Sequence, residues 1–283
     1  MIYPRSRAQV FNTPRMPQSV LIVLAVGCYA GAFGTLVAGL RARLPIAQSE
    51  RWSTLIATLA VVLHAVALWQ AAWTAQGVDL GLFNAVSLFG WLMALMVVTA
   101  ALRTPVQSLG LVVFPLAALG IVLAALWGVP RSSLIPIGAP VDIHVISSVL
   151  AYAVLGLASA QALLLAWQER SLRQRRASSV LGLLPPLQNM EALLFQLLGS
   201  GFALLSVSLL SGWLFVDNLL AQDLAHKTTL SILAWVVFAA LLQGRIRYGW
   251  RGRTAIRWTL AGFALLALAY VGTKIVLELI LGR

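Results

Sequence analysis

Charge is scarce in this sequence, and acidic charge is scarcer than basic. Asp and Glu number 8 among 283 residues and Lys and Arg 20, so only 10% of the chain is charged. A soluble domain carries about a quarter charged residues. Sixty per cent of the residues are hydrophobic and the mean hydropathy is +0.91. A surface this poor in charge aggregates in water, so the solvent that suits the chain is lipid.

Other absences narrow the chemistry. The acidic residues fall at loops and ends, and no pair of carboxylates lies inside an apolar run. A proton-coupled pump or a hydrolase has little to work with, and the chain reads as a binder, not an enzyme. Cys28 is the single cysteine. It forms no intrachain disulfide, and neither a CxxC thiol relay nor a CxxCH haem attachment is present. GxSxG, Walker, HExxH and zinc-ligand spacings are missing too. The net charge of +12 raises nucleic acid as a partner. The basic residues, however, sit in short loops between apolar runs, so no nucleic-acid partner is expected.

What remains is a series of apolar runs. A bilayer core of about 30 Å needs about 20 helical residues. Eight runs qualify, at 18–40, 53–75, 82–102, 107–128, 143–167, 193–216, 228–244 and 258–281. They must be helices, because lipid offers no partner to an open backbone. The expected fold class is therefore all-α, a polytopic membrane helix bundle with about eight transmembrane helices. Residues 1–17 read as a disordered tail and 18–283 as a single transmembrane domain.

Charge asymmetry orients the spans. Alternate loops carry Arg41, Arg43 and Arg51, then Arg103, then Arg170, Arg173, Arg175 and Arg176, then Arg245, Arg247, Arg251, Arg253 and Arg257. The intervening loops and the C-terminus hold only Arg131, Lys227, Lys274 and Arg283, together with most of the acids. The arginine-rich side is expected in the cytoplasm and both termini outside, in a bacterial inner membrane. Arg5, Arg7 and Arg15 conflict with that orientation, and Met16, just before the first run, offers an alternative start. Trp73, Trp127 and Trp213 should mark the outer interface, and Trp52, Trp167, Trp250 and Trp258 the inner one. Gly27 with Gly31, and Ser208 with Gly212, have the small-xxx-small spacing that lets helices approach closely.

Polar residues at membrane depth are functional suspects, and here they are chiefly the three histidines. His64 lies about eleven residues into the second run, ~16 Å from either end. Two readings stand: an axial haem ligand, or a neutral imidazole bonded to a hydroxyl or carbonyl of a neighbouring helix. His144 opens the fifth run at the outer face, as a haem ligand or a hydrated interfacial histidine. His226 opens the seventh on the same side, as a third candidate or as a solvated helix start. The depths of His64 and His144 differ by ~15 Å, too far for one iron. Gln161, Gln196 and Gln243 suit interhelical hydrogen bonds. The Arg245–Arg257 cluster suits anionic head groups or a haem propionate.

The segment His144-Val-Ile-Ser-Ser-Val-Leu-Ala-Tyr-Ala, the run Gly201–Gly212, the run Ala234–Arg245 and the stretch Trp250–Arg257 with Gly262-Phe and Ala269-Tyr-Val-Gly272 together resemble the CcsA-type cytochrome c assembly membrane proteins. Leu184-Pro-Pro-Leu-Gln-Asn-Met-Glu191 is similar to the YpjD/HemX-like branch. The resemblance covers about 140–275, with a looser match at Asn84 and Ser87-Leu-Phe. It implies an outward-facing haem-ligand histidine at His144 and haem b as cofactor. The loop 217–226 lacks the family's tryptophan-rich WGxxWxWD segment, and Gln243 stands where the family has a histidine. Of the family's ligands only His144 carries over.

The expected function is a haem-binding inner-membrane protein in cytochrome c assembly or haem homeostasis. Its expected partners are the bilayer, haem, and other cytochrome c maturation or membrane transport proteins. The alternative is a haem-free membrane regulator or accessory subunit of another membrane protein.

Overall fold

The computed structural model describes residues 17–272 apart from 42, 75–76, 80, 129–133, 136–138, 175–183 and 216–221. The tail 1–16, Lys274 and the C-terminal stretch from 273 lie outside the described residues. Among those described, eight α-helices form the molecule: α1 (Gln18–Leu40), α2 (Ile46–Ala72), α3 (Leu82–Ala101), α4 (Gly110–Trp127), α5 (Ala139–Arg173), α6 (Leu187–Phe215), α7 (Gln222–Tyr248) and α8 (Gly252–Ala267). A 3₁₀ turn, Gln107–Leu109, leads into α4, and α8 passes into a π-helical segment, Leu268–Gly272. Pro115 lies within α4 without ending it.

Seven of these helices, α1 to α7, are long and apolar enough to span a bilayer. The eighth span was expected at 258–281. α8 has 16 residues and its π-helical continuation 5, and the rest of the expected run lies outside the described residues. The small three-stranded antiparallel sheet was not expected. β1 (Trp73–Thr74) pairs with β2 (Gly77–Asp79), and β2 with β3 (Leu134–Ile135). It ties the α2–α3 loop to the α4–α5 connection.

The helices pack as two four-membered rings. In the first, α1 touches α2 and α4, while α3 touches α2 and α4; in the second, α5 touches α6 and α8, while α7 touches α6 and α8. The rings meet chiefly along α3 and α5. Burial explains the first ring: Leu21, Ala25, Tyr29, Ala32, Leu36 and Gly39 form the buried stripe of α1 at the three- and four-residue spacing of one helical face.

Small residues set the closest approaches. A Cβ on Gly90 of α3 would lie 3.0 Å from the Ala117 Cα of α4, and one on Gly120 3.2 Å from the Ser87 Cα. Gly27 and Gly31 behave differently from expectation. Both are exposed, and a Cβ on Gly27 would meet nothing within 4 Å. They lie off the buried stripe of α1, so their spacing marks no close helix pair.

Several helices run past the apolar stretches. α2 begins at Ile46, α5 ends at Arg173, α6 begins at Leu187, and α7 ends at Tyr248. The apolar runs begin or end at 53, 167, 193 and 244, short of the ends of the helices. Arg170 and Arg173 occupy the last turn of α5, and Arg245 and Arg247 that of α7, where cations suit the helix dipole.

One end of the second ring, where α5 and α7 finish and α6 and α8 begin, is fastened by polar contacts. Gln161 Nε2 donates to the Met190 carbonyl at 3.0 Å, and Gln168 Nε2 to the Pro185 carbonyl at 3.0 Å. The turn between α7 and α8 places Gly249 at φ 67° and Gly252 at φ 50°, a region that favours glycine. The Gly252 amide donates to Glu191 Oε1 at 2.9 Å. The Trp250 ring packs onto Gly244, and Arg245 reaches the Trp250 carbonyl at 3.3 Å while lying over the Phe195 ring. Gln243, expected to bridge helices, faces Arg247 of its own helix.

Candidate functional site

The three histidines lie in different surroundings. His64, on α2, is fully buried inside the first ring. Its Nδ1 is 3.2 Å from the Tyr29 hydroxyl of α1, and its Nε2 is 2.9 Å from Ser87 Oγ of α3. Tyr29 and Ser87 are buried too, and the Tyr29 and His64 rings meet edge to face. Both hydroxyls can give or take a proton, so one ring nitrogen donates and the other accepts. This bridge meets the cost of placing an imidazole in an apolar core. Neither nitrogen is left over for a metal in this arrangement.

His144 stands near the opposite end of the second ring, in the second turn of α5, and is only part-buried. Its Nδ1 lies 2.8 Å from the Ser208 carbonyl of α6. A carbonyl only accepts, so Nδ1 carries the proton and the neutral ring presents the lone pair at Nε2. No hydrogen bond reaches Nε2 among the described residues. A metal-ligating histidine is held in this way, with its second ring nitrogen donating to a carbonyl.

The small-xxx-small pair on α6 makes this placement possible. A Cβ on Gly212 would lie 3.0 Å from His144 Cε1 and Nδ1. Ser208 supplies the carbonyl that holds the ring and pairs its hydroxyl with Ser148 at 2.6 Å. Ser148 also donates to the His144 carbonyl at 2.6 Å.

An aromatic and cationic cluster lies about two turns further along α5. Phe89 of α3 stacks on Tyr152 of α5 with centroids 5.3 Å apart, and Tyr270 meets both rings edge-on. The Tyr152 hydroxyl donates to the Leu266 carbonyl at 2.9 Å, just before α8 changes to π geometry. The Lys227 ammonium lies 5.5 Å from the Tyr270 ring centre and within electrostatic range of His144. His226 precedes it on α7, but its side chain lies outside the described residues.

Sequence reasoning singled out His144 and His64 but missed most of what surrounds them. Tyr29 could have been found as the polar member of an otherwise apolar stripe. Lys227, Tyr152 and Tyr270 carried no spacing signal, since three elements bring them together. Among the described residues, no three His, Cys, Asp or Glu side chains converge as a metal cage. A haem brings its own porphyrin nitrogens and needs only an axial ligand or two. His144 keeps one ring nitrogen without a hydrogen bond among the described residues, while the His64 bridge has none.

Comparison with known proteins identifies the family. The cytochrome c assembly protein family model matches residues 52–281. The inner membrane protein YpjD of Escherichia coli (strain K12) is 30% identical over 265 residues, covering 92% of this chain and 99% of that protein. An "uncharacterized 28.8 kDa protein in nifR3-like 5' region" of Azospirillum brasilense is 39% identical over 152 residues, 51% of this chain and 55% of that one. The cytochrome c biogenesis protein CcsA of Prochlorococcus marinus (strain NATL2A) is 29% identical over 90 residues, 31% of this chain and 29% of its own. No solved structure matches the chain. A multi-span helix bundle matched by this model over most of its length is a membrane protein of the cytochrome c assembly family, to which the chain belongs.

Proposed function

We propose that the protein binds haem at the outer face of a bacterial inner membrane, with His144 Nε2 as an axial ligand, and acts in cytochrome c assembly or haem homeostasis. The observation that carries this reading is the Nδ1 contact to the Ser208 carbonyl. That contact selects the tautomer, orients the ring and leaves the Nε2 lone pair without a hydrogen bond among the described residues. Gly212 keeps room beside the ring, Lys227 supplies a cation suited to a propionate, and the Phe89–Tyr152–Tyr270 cluster supplies aromatic surface. The bound haem b would supply redox chemistry. The chain's own groups bind and orient it, a role in positioning and not in catalysis. His64 is assigned to structure in the first ring. Both termini lie outside, and other cytochrome c maturation proteins are the partners this reading implies.

The test is an absorption spectrum of the full chain, purified in mild detergent from haem-replete cells, oxidised and reduced. Wild type and His64→Ala should show a Soret band, and His144→Ala should lose it. No band in wild type after haem is added back would sink the reading in favour of the haem-free regulator. A band lost in His64→Ala and kept in His144→Ala would move the site into the first ring.

A further inference from the structure

The cytoplasmic ends of α5 and α8 enclose an open cleft of about 340 Å³, lined by Ala166, Glu169, Arg170, Arg173, Arg253, Ile256 and Arg257. Four arginines from two helices thus line the cleft, with Glu169 as its one lining carboxylate. Glu169 lies 3.8 Å from Arg253. Among the described residues no carboxylate pairs with Arg170, Arg173 or Arg257. An excess of cations along one loop follows from topology alone. Facing cations on two packed helices repel one another, and an anion between them relieves that repulsion.

The floor of the cleft identifies the anion. Ile256 is buried, Ala166 is half-buried, and neither offers a polar atom beyond the backbone. The cationic rim therefore sits above an apolar base. The lining has no aromatic face for a nucleobase and no amide or hydroxyl to read one. Trp167, exposed beside the cleft, sits where an interfacial tryptophan belongs. Guanidinium groups bind phosphate oxygens in a planar, bidentate manner. We propose that this cleft binds the phosphodiester head group of an anionic phospholipid from the cytoplasmic leaflet. The apolar base accommodates the glycerol and the upper acyl chain. The site is separate from the outer histidine site and independent of haem.

The experiment uses the delipidated full chain in mild detergent, titrated with phosphatidylglycerol or phosphatidylcholine and read by native mass spectrometry. Wild type should prefer phosphatidylglycerol. Each interfacial arginine contributes about fivefold, so Arg253→Gln with Arg257→Gln should weaken binding by about thirtyfold. Arg41→Gln with Arg51→Gln removes the same charge from the first ring and should leave binding unchanged. Glu169→Gln should strengthen it, a gain that a misfolded variant does not produce. Equal binding of both lipids, or equal losses in the two double variants, would overturn the proposal. Displacement of the lipid by millimolar inorganic phosphate would assign the cleft to a soluble anion. The haem spectrum should be the same in every variant, which separates this result from that of the outer site.

Discussion

Replacing His64 by leucine removes an imidazole but strands two hydroxyls, Tyr29 and Ser87, in an apolar core. Each buried group left without a partner costs about 1–3 kcal/mol. His64→Leu should therefore destabilise the first ring by several kcal/mol. The triple variant Tyr29→Phe, His64→Leu, Ser87→Ala should recover most of that loss. Thermal unfolding of all four single and combined variants in detergent measures the non-additivity, and simple additivity would contradict the bridge. At the outer site Gly212→Ala brings a methyl group 3.0 Å from the His144 ring. It should lower haem occupancy while leaving the melting temperature nearly unchanged, and Gly212→Val should abolish occupancy. The histidines were legible as suspects because ionisable groups are rare at membrane depth. Which of their nitrogens were already engaged was not legible, because the partners come from α1, α3 and α6. No spacing within one chain segment encodes a contact across 64 positions, such as His144 with Ser208.

At the scale of elements, the α3–α4 pair is fixed by small residues. Gly90→Val places a branched side chain against the Ala117 backbone, which cannot yield as a flexible side chain would. Overpacking of this kind costs about 1–3 kcal/mol, and the melting temperature should fall accordingly. Gly27→Val, on the open face of α1, should be near neutral. The contrast shows where periodicity helps and where it misleads. Apolar length located the seven spanning helices but not their ends. Spacing alone did not reveal which glycines face a neighbour, because Gly27 and Gly31 fall off the buried stripe while Gly90 and Gly120 fall on a packed face. Helix ends were missed for a different reason. Arg170, Glu169 and Gln168 are poor in hydropathy but good helix formers, so α5 continues through them into the aqueous phase.

At the scale of the molecule, the charge bias of the loops predicts an orientation that accessibility can check. In a Cys28→Ser background, Val78→Cys lies in β2 on the predicted outer side and Gln174→Cys just after α5 on the inner side. A membrane-impermeant maleimide should label the first in intact spheroplasts and the second only after permeabilisation. Labelling of 174 in intact spheroplasts would invert the molecule and place His144 in the cytoplasm. The two-ring plan itself could not be read from hydropathy. Eight similar apolar runs carry no statement of which helices are neighbours, and that information lies in the packing of residues such as Gly156 against Met93, whose sulfur would lie 3.0 Å from a Cβ on that glycine.

That plan has a consequence for how the chain is built. α1 to α4 cross the bilayer an even number of times, so the chain returns to its starting side before α5 begins. The first ring is therefore an insertion-neutral cassette: its presence does not change the direction in which the second enters. A chain severed in the α4–α5 connection keeps each half in its original orientation, and the contacts between the halves, chiefly the α3–α5 seam, decide whether they reassemble.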